Sequence, residues 1–162
     1  MIPPELTLPV AVLVESRPGA TVWQDRVWRP LSVQEEAPPV PAWTKLREEE
    51  GRETWFAGEA TLTLHRTDTP NYRDNLAAAA PRLWVLLRPA GEGVELAGAT
   101  VDPGEAEIWT EGPRDILEAL PMPAGIRALL EAFVAEHHVE QVFHKRKRDR
   151  LDPEALSRRS RA

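Results

Sequence analysis

Apolar and polar residues alternate with a period of two over Glu53–Arg66. Phe56, Ala60, Leu62 and Leu64 fall on one side, and Trp55, Ala57, Glu59, Thr61, Thr63 and His65 on the other. Successive side chains of a strand point to opposite faces, so this pattern predicts a half-buried antiparallel strand with one core-facing row. Leu8–Val14 is a continuous, Val-rich apolar run closed by Arg17-Pro18-Gly19, which predicts a buried strand. Thr21–Val33 predicts a further extended segment, with Trp23, Val27, Leu31 and Val33 on one face and Trp28 on the other. Pro30 removes a ladder donor there and marks an edge strand or a bulge. Glu35–Gly51, broken by Pro38, Pro39 and Pro41, reads as a loop, and Thr67–Pro81 as a second loop with one helical turn. Leu83–Leu87 predicts a central, fully buried strand, and Gly91-Glu92-Gly93 a hairpin turn into a returning strand over Val94–Val101.

The period then changes. Asp102-Pro103-Gly104-Glu105 is a helix start, with a capping carboxylate, Pro at the first helical position and an acid in the first turn. It predicts a short helix carrying Ile108 and Trp109 that stops near Gly112-Pro113. Asp115–Leu120 reads as another short helical turn, and Pro121-Met122-Pro123 as a stiff connector. Ala124–His138 carries Ile126, Leu129, Leu130, Phe133 and Val134 at helical spacing, one apolar stripe. Strands followed by helices imply an α+β fold: a mostly antiparallel curved sheet or partial barrel covered by the C-terminal helices. The expected domain spans residues 6–143, with a flexible basic tail over 144–162.

Charge sharpens this division. The net charge is −6, but Phe143–Ala162 holds eight Lys/Arg against three acids, a charge of +5, while the rest holds 12 basic and 23 acidic residues, a charge of −11. So acidic a body lacks the Lys/Arg that phosphate contacts need, which argues against nucleic acid as its partner. The absence of cysteine excludes disulfides, thiolate metal sites and cysteine nucleophiles, and fits a cytoplasmic location. Met1-Ile2-Pro3-Pro4-Glu5 does not read as a signal peptide, and no apolar run approaches the roughly 20 residues that span a bilayer, so no membrane is expected as a partner.

The candidate chemistry is sparse. His137 and His138 close the long helix, near Glu136, Glu140 and His144. They read either as metal ligands or proton carriers, or as imidazoles suited to a helix C-terminus, where the dipole favours cations. Adjacent helical side chains point roughly 100° apart and rarely share one ion, so no metal is expected. Tyr72-Arg73-Asp74-Asn75 lies on a loop after a strand, where Arg73 could clamp a carboxylate or phosphate and Tyr72 and Asn75 could flank it. The alternative is a loop tied down by its own polar side chains. Lys145-Arg146-Lys147-Arg148 offers a contact to an anionic partner (an acidic protein surface, nucleic acid or anionic lipid), or else reads as a solvated tail or one that contacts the chain's own acidic body. Trp43 and Trp55 read as exposed and suggest an interface. No Gly-rich phosphate loop and no Ser-His-Asp ordering stands out, so neither a cofactor nor a catalytic residue is assigned.

Val10–Val14, Trp23–Pro30, Tyr72-Arg73-x-Asn75-Leu76, Pro81–Arg88, Pro121-Met122-Pro123 and the segment from Phe133 through His137-His138 to Lys145–Arg148 together resemble an uncharacterised bacterial family, domain-of-unknown-function family 3305. Its members are typically small cytoplasmic proteins encoded beside formate dehydrogenase and other molybdoenzyme accessory genes. The resemblance implies a non-enzymatic accessory or assembly role in maturation of a molybdenum-dependent formate dehydrogenase. The implied partner is an acidic protein, such as a subunit of that enzyme. Some relatives carry the label of the nucleotidyltransferase that attaches GMP to molybdopterin, so an enzyme of molybdopterin-guanine dinucleotide synthesis is the second reading, and a small anion-binding or regulatory module the third. The first strand here leads into Glu15-Ser16-Arg17-Pro18-Gly19-Ala20, with one glycine and no lysine. That departs from the nucleotide loop of a doubly wound fold.

Overall fold

A computed structural model describes residues 1–21 and 26–139. Trp23 and the basic tail, with Lys145, Arg146, Lys147 and Arg148, lie outside the described residues. The elements in order are β1 (Glu5–Arg17), β2 (Val27–Gln34), β3 (Thr44–Glu49), β4 (Arg52–His65), α1 (Thr69–Ala77), β5 (Arg82–Ala90), β6 (Gly93–Thr100), α2 (Pro103–Glu107), β7 (Ile116–Pro121) and α3 (Ala124–His137).

The fold is α+β, and every strand pairing is antiparallel. The strands form two sheets, β2-β1-β4-β3 and β6-β5-β7, where the sequence suggested one curved sheet or partial barrel, and neither sheet is closed. The break falls after β4. There the chain turns through a 3₁₀ segment, Arg66–Asp68, into α1, so β5 starts a new sheet. One apolar cluster joins both sheets: Val10, Val12 and Val14 of β1, Leu62 and Leu64 of β4, and Leu83, Val85 and Leu87 of β5. Tyr72 of α1 and Ile126, Leu130 and Phe133 of α3 complete it.

Three of the four strand bulges among the described residues explain where the simple alternation fails. In β2, Ser32 pairs with Leu13 and Pro30 with Val14, which leaves Leu31 unpaired. The extra residue shifts the phase, so Trp28 and not Val27 packs on the core, while Val27 is exposed. Pro30 thus sits on an edge strand and beside a bulge. In β4 the extra residue is Ala57, between Gly58 and Phe56 in the pairing with β1. The expected row Phe56, Ala60, Leu62 and Leu64 is buried, but Phe56 stands apart from the main cluster and Ala57 joins it. In β3 the extra residue is Leu46, which is exposed.

The first expected loop contains β3, joined to β4 by Glu50 and Gly51 with φ of 49° and 82°. Two consecutive positive φ values define the tight hairpin turn whose twist matches the strands. Gly58, at φ 109°, lies under the loop before β3, where an added Cβ would come within 3.1 Å of the Ala42 Cβ. Asp115–Leu120 is not a helical turn: Ile116–Pro121 is β7, paired with β5 from Leu87↔Ile116 to Arg82↔Pro121. The second expected loop holds a full helix, α1. The helix start at Asp102 is as read, since its carboxylate accepts from the Gly104 and Glu105 amides at 2.8 and 3.3 Å. However, α2 ends at Glu107, so Trp109 lies just beyond it. Trp43 and Trp55 are partly buried, not exposed: both pack on the core, with ring centroids 6.0 and 6.1 Å from Trp28.

Candidate functional site

The fold brings together two of the sequence candidates. The start of α1 meets the end of α3, so Arg73 and His138, 65 residues apart in sequence, touch: Arg73 Nη1 lies 3.1 Å from His138 Nε2. A guanidinium only donates, so Nε2 must accept and the His138 proton resides on Nδ1. Nδ1 in turn donates to Thr69 Oγ1 at 3.1 Å, and that hydroxyl donates to the Arg66 carbonyl. His137 points elsewhere. Its Nε2 donates to the Ile2 carbonyl at 2.7 Å, and its ring packs tilted against Phe133 with centroids 4.7 Å apart. Glu136 accepts from the Ile2 amide at 3.0 and 2.8 Å, so the end of α3 clamps the N-terminal segment. The adjacent histidines therefore turn to different partners and hold opposite tautomers at the contacting nitrogens.

Tyr72 and Asn75 face inward from the same helix. Tyr72 is 1% exposed, packs edge-on against Phe133, and accepts from the His65 amide at 3.0 Å. Burial pushes its phenol up to about 12. Asn75 donates to the Arg82 and Val101 carbonyls at 2.7 and 2.9 Å and accepts from the Arg82 amide at 2.9 Å. It fastens α1 to the start of β5 and the end of β6. Among the described residues, no group of His, Cys, Asp or Glu could hold a metal ion.

A second region was not visible in the sequence. β3 pairs only with Arg52–Phe56 of β4, and β6 pairs only with β5. Among the described residues, the rest of β4 and the whole of β6 each keep one unpaired edge. A cleft of about 350 Å³ lies between these strands, lined by Glu59, Thr61 and Thr63 of β4, residues 96–100 of β6, Glu105 of α2 and Trp109. The Trp109 ring covers Gly98 so closely that an added Cβ would come within 2.9 Å of it. Glycine is what lets the ring lie on the strand backbone. The capped helix α2 fixes this wall: Asp102 holds its first turn, and the Trp109 amide donates to the Ala106 carbonyl at 3.3 Å. Partial burial of its carboxyl, and then the negative charges of Asp102 and Asp68, hold Glu105 above the usual carboxylate range, against a hydrogen bond from Thr100 and the nearby His65. Glu59 and Glu105 are the charged residues of the lining, so the cleft is negative and has one aromatic wall.

Fold and cleft define a two-sheet α+β protein with an open, acidic seam between the sheets. The family model described as protein of unknown function (DUF3305) matches residues 9–147, and the chain belongs to that family. Neither a curated protein nor a solved structure matches it. No helix among the described residues is long and apolar enough to cross a membrane.

Proposed function

We propose that this protein is a non-enzymatic accessory protein that holds an extended segment of a partner protein during assembly of a molybdenum-dependent formate dehydrogenase. The observation that carries the binding role is the pair of unpaired strand edges, on β4 and β6, that flank one cleft. An unpaired edge presents a row of amides and carbonyls, and a peptide chain supplies the complementary row. The choice of enzyme rests on the resemblance of the motifs described above. The Arg73–His138–Thr69 corner at the end of α3 offers a second contact surface.

The test is site-specific cross-linking in cells that make the enzyme. A photoreactive residue at Thr61, inside the cleft, is expected to capture a formate dehydrogenase subunit, whereas one at the exposed Arg29 of β2 is not. Capture from both positions alike, or from neither, would contradict the proposal. Stoichiometric binding of GTP or a pterin by the purified protein would favour molybdopterin nucleotide chemistry instead.

A further inference from the structure

The chemistry of the cleft says what kind of segment it fits. We infer that it binds an extended, basic stretch of a partner chain that pairs with a free strand edge and lays a Lys or Arg side chain against Trp109, between Glu59 and Glu105. This rests on the reading of the cleft as a partner site and deepens it.

Four observations converge. The cleft is flanked by strand edges that lack a hydrogen-bonded partner among the described residues; β4 and β6 already lie close together along the seam, so a segment pairs with one edge and does not insert between the two. Its charged lining is entirely acidic, through Glu59 and Glu105, and Asp102 and Asp68 add to the negative potential felt by Glu105. Opposite charge across an interface selects its partner and speeds encounter. Trp109 gives the same place an aromatic wall, and an indole face attracts a cation, Arg more often than Lys. The neighbouring Ile108 is 82% exposed, an apolar anchor left uncovered beside Trp109. An acidic peptide would meet repulsion at Glu59 and Glu105.

The experiment uses the full chain and a labelled peptide alternating Lys with Val, read by fluorescence anisotropy. The peptide is expected to bind. Its counterpart with Glu for Lys, and one with Pro for alternate Val, are each expected to bind at least about tenfold more weakly, through charge repulsion and through lost main-chain donors. Glu59→Lys, at an exposed strand position, and Glu105→Lys, at the partly buried first turn of α2, should each weaken the Lys–Val peptide about tenfold, with the melting temperature of the Glu59 variant unchanged. Equal binding of the Lys and Glu peptides, or of the Pro peptide, overturns the inference, as does indifference to both substitutions. Hydrogen exchange of the chain alone covers the other occupants. Protection of residues 59–63 and 96–100 without peptide would mean that the chain's own terminal segment fills the cleft if it is independent of concentration, or a second copy if it rises with concentration. Either result overturns binding of a partner segment. Thr61 cross-links to the enzyme that survive Glu59→Lys and Glu105→Lys would refute the basic segment while leaving the accessory role in place.

Discussion

Asn75→Ala should be among the most damaging single changes at a polar residue in this protein. Asn75 is 5% exposed and makes three hydrogen bonds to backbone groups of two strands. Removing its amide leaves the Val101 carbonyl without that donor in a buried setting, which costs about 1–3 kcal/mol. The Arg82 amide and carbonyl lie nearer the surface, where water can replace the lost partner, so each adds only about 0.5–1 kcal/mol. The sum, about 2–5 kcal/mol, is a large part of the stability of an ordinary domain, roughly 5–15 kcal/mol. At this chain length it corresponds to a fall in melting temperature of about 4–20 °C. Asn75→Asp should be no better: it keeps an acceptor for the Arg82 amide but turns a carboxylate toward two carbonyl oxygens. Urea unfolding followed by tryptophan fluorescence and far-UV circular dichroism measures both. A loss below about 0.5 kcal/mol for Asn75→Ala, or Asp tolerated better than Ala, would refute the assignment of Asn75 as the fastener between α1 and the β5–β6 sheet.

Other outcomes follow from the same structure. Leu62→Ala, at a position 1% exposed in the core row of β4, should cost about 2–5 kcal/mol, and an unchanged unfolding curve would show that the register of β4 is wrong. Tyr72 has a folded-state pKa of about 12 against 10.0 when unburied, so its contribution to stability is complete below pH 10 and is lost as the pH rises toward 12; alkaline unfolding of the parent protein should weaken in Tyr72→Phe. Glu105 is raised, so a basic peptide binds the deprotonated carboxylate and releases protons as it does so. Affinity should rise with pH through the acid range with Asp102, Asp68 and His65 as the charged neighbours, and Glu105→Gln should flatten that rise. Asp115 is held below the usual carboxylate range by the Glu111 amide, then by the Gly112 amide and Arg88, so its stabilisation is present above the ordinary aspartate pKa and is lost as pH falls; Asp115→Asn should blunt acid destabilisation in a melting series.

Much of the fold was legible where one local signal dominates. The β4 row, the Asp102 cap, the β5–β6 hairpin and the α3 stripe each follow from a short stretch of chain. What failed depends on pairing. β3, Thr-Lys-Leu-Arg-Glu-Glu, has almost no buried side chain and forms because β4 supplies its hydrogen bonds. β7 is short and partly buried, and helical spacing of Ile116, Leu117 and Leu120 mimicked a turn. Bulges at Leu31 and Ala57 shift the period-two phase, which hid the inward turn of Trp28. The candidate site was split in the same way. Arg73 and His138 meet only through the packing of α1 on α3. The cleft was out of reach, because a strand edge is free or paired only by virtue of the whole sheet. Trp109 and the Asp102 cap were the visible signs of its wall.

The free edges of β4 and β6 are the proposed binding surface. Amide hydrogen exchange, with and without the Lys–Val peptide, tests it most directly, because unpaired edge amides exchange readily and paired ones do not. Slower exchange on binding is expected within residues 59–63 and 96–100, with α1 and α3 unchanged. Protection confined to residues 69–77 and 133–138, or no protection at either strand at saturating peptide, would contradict it.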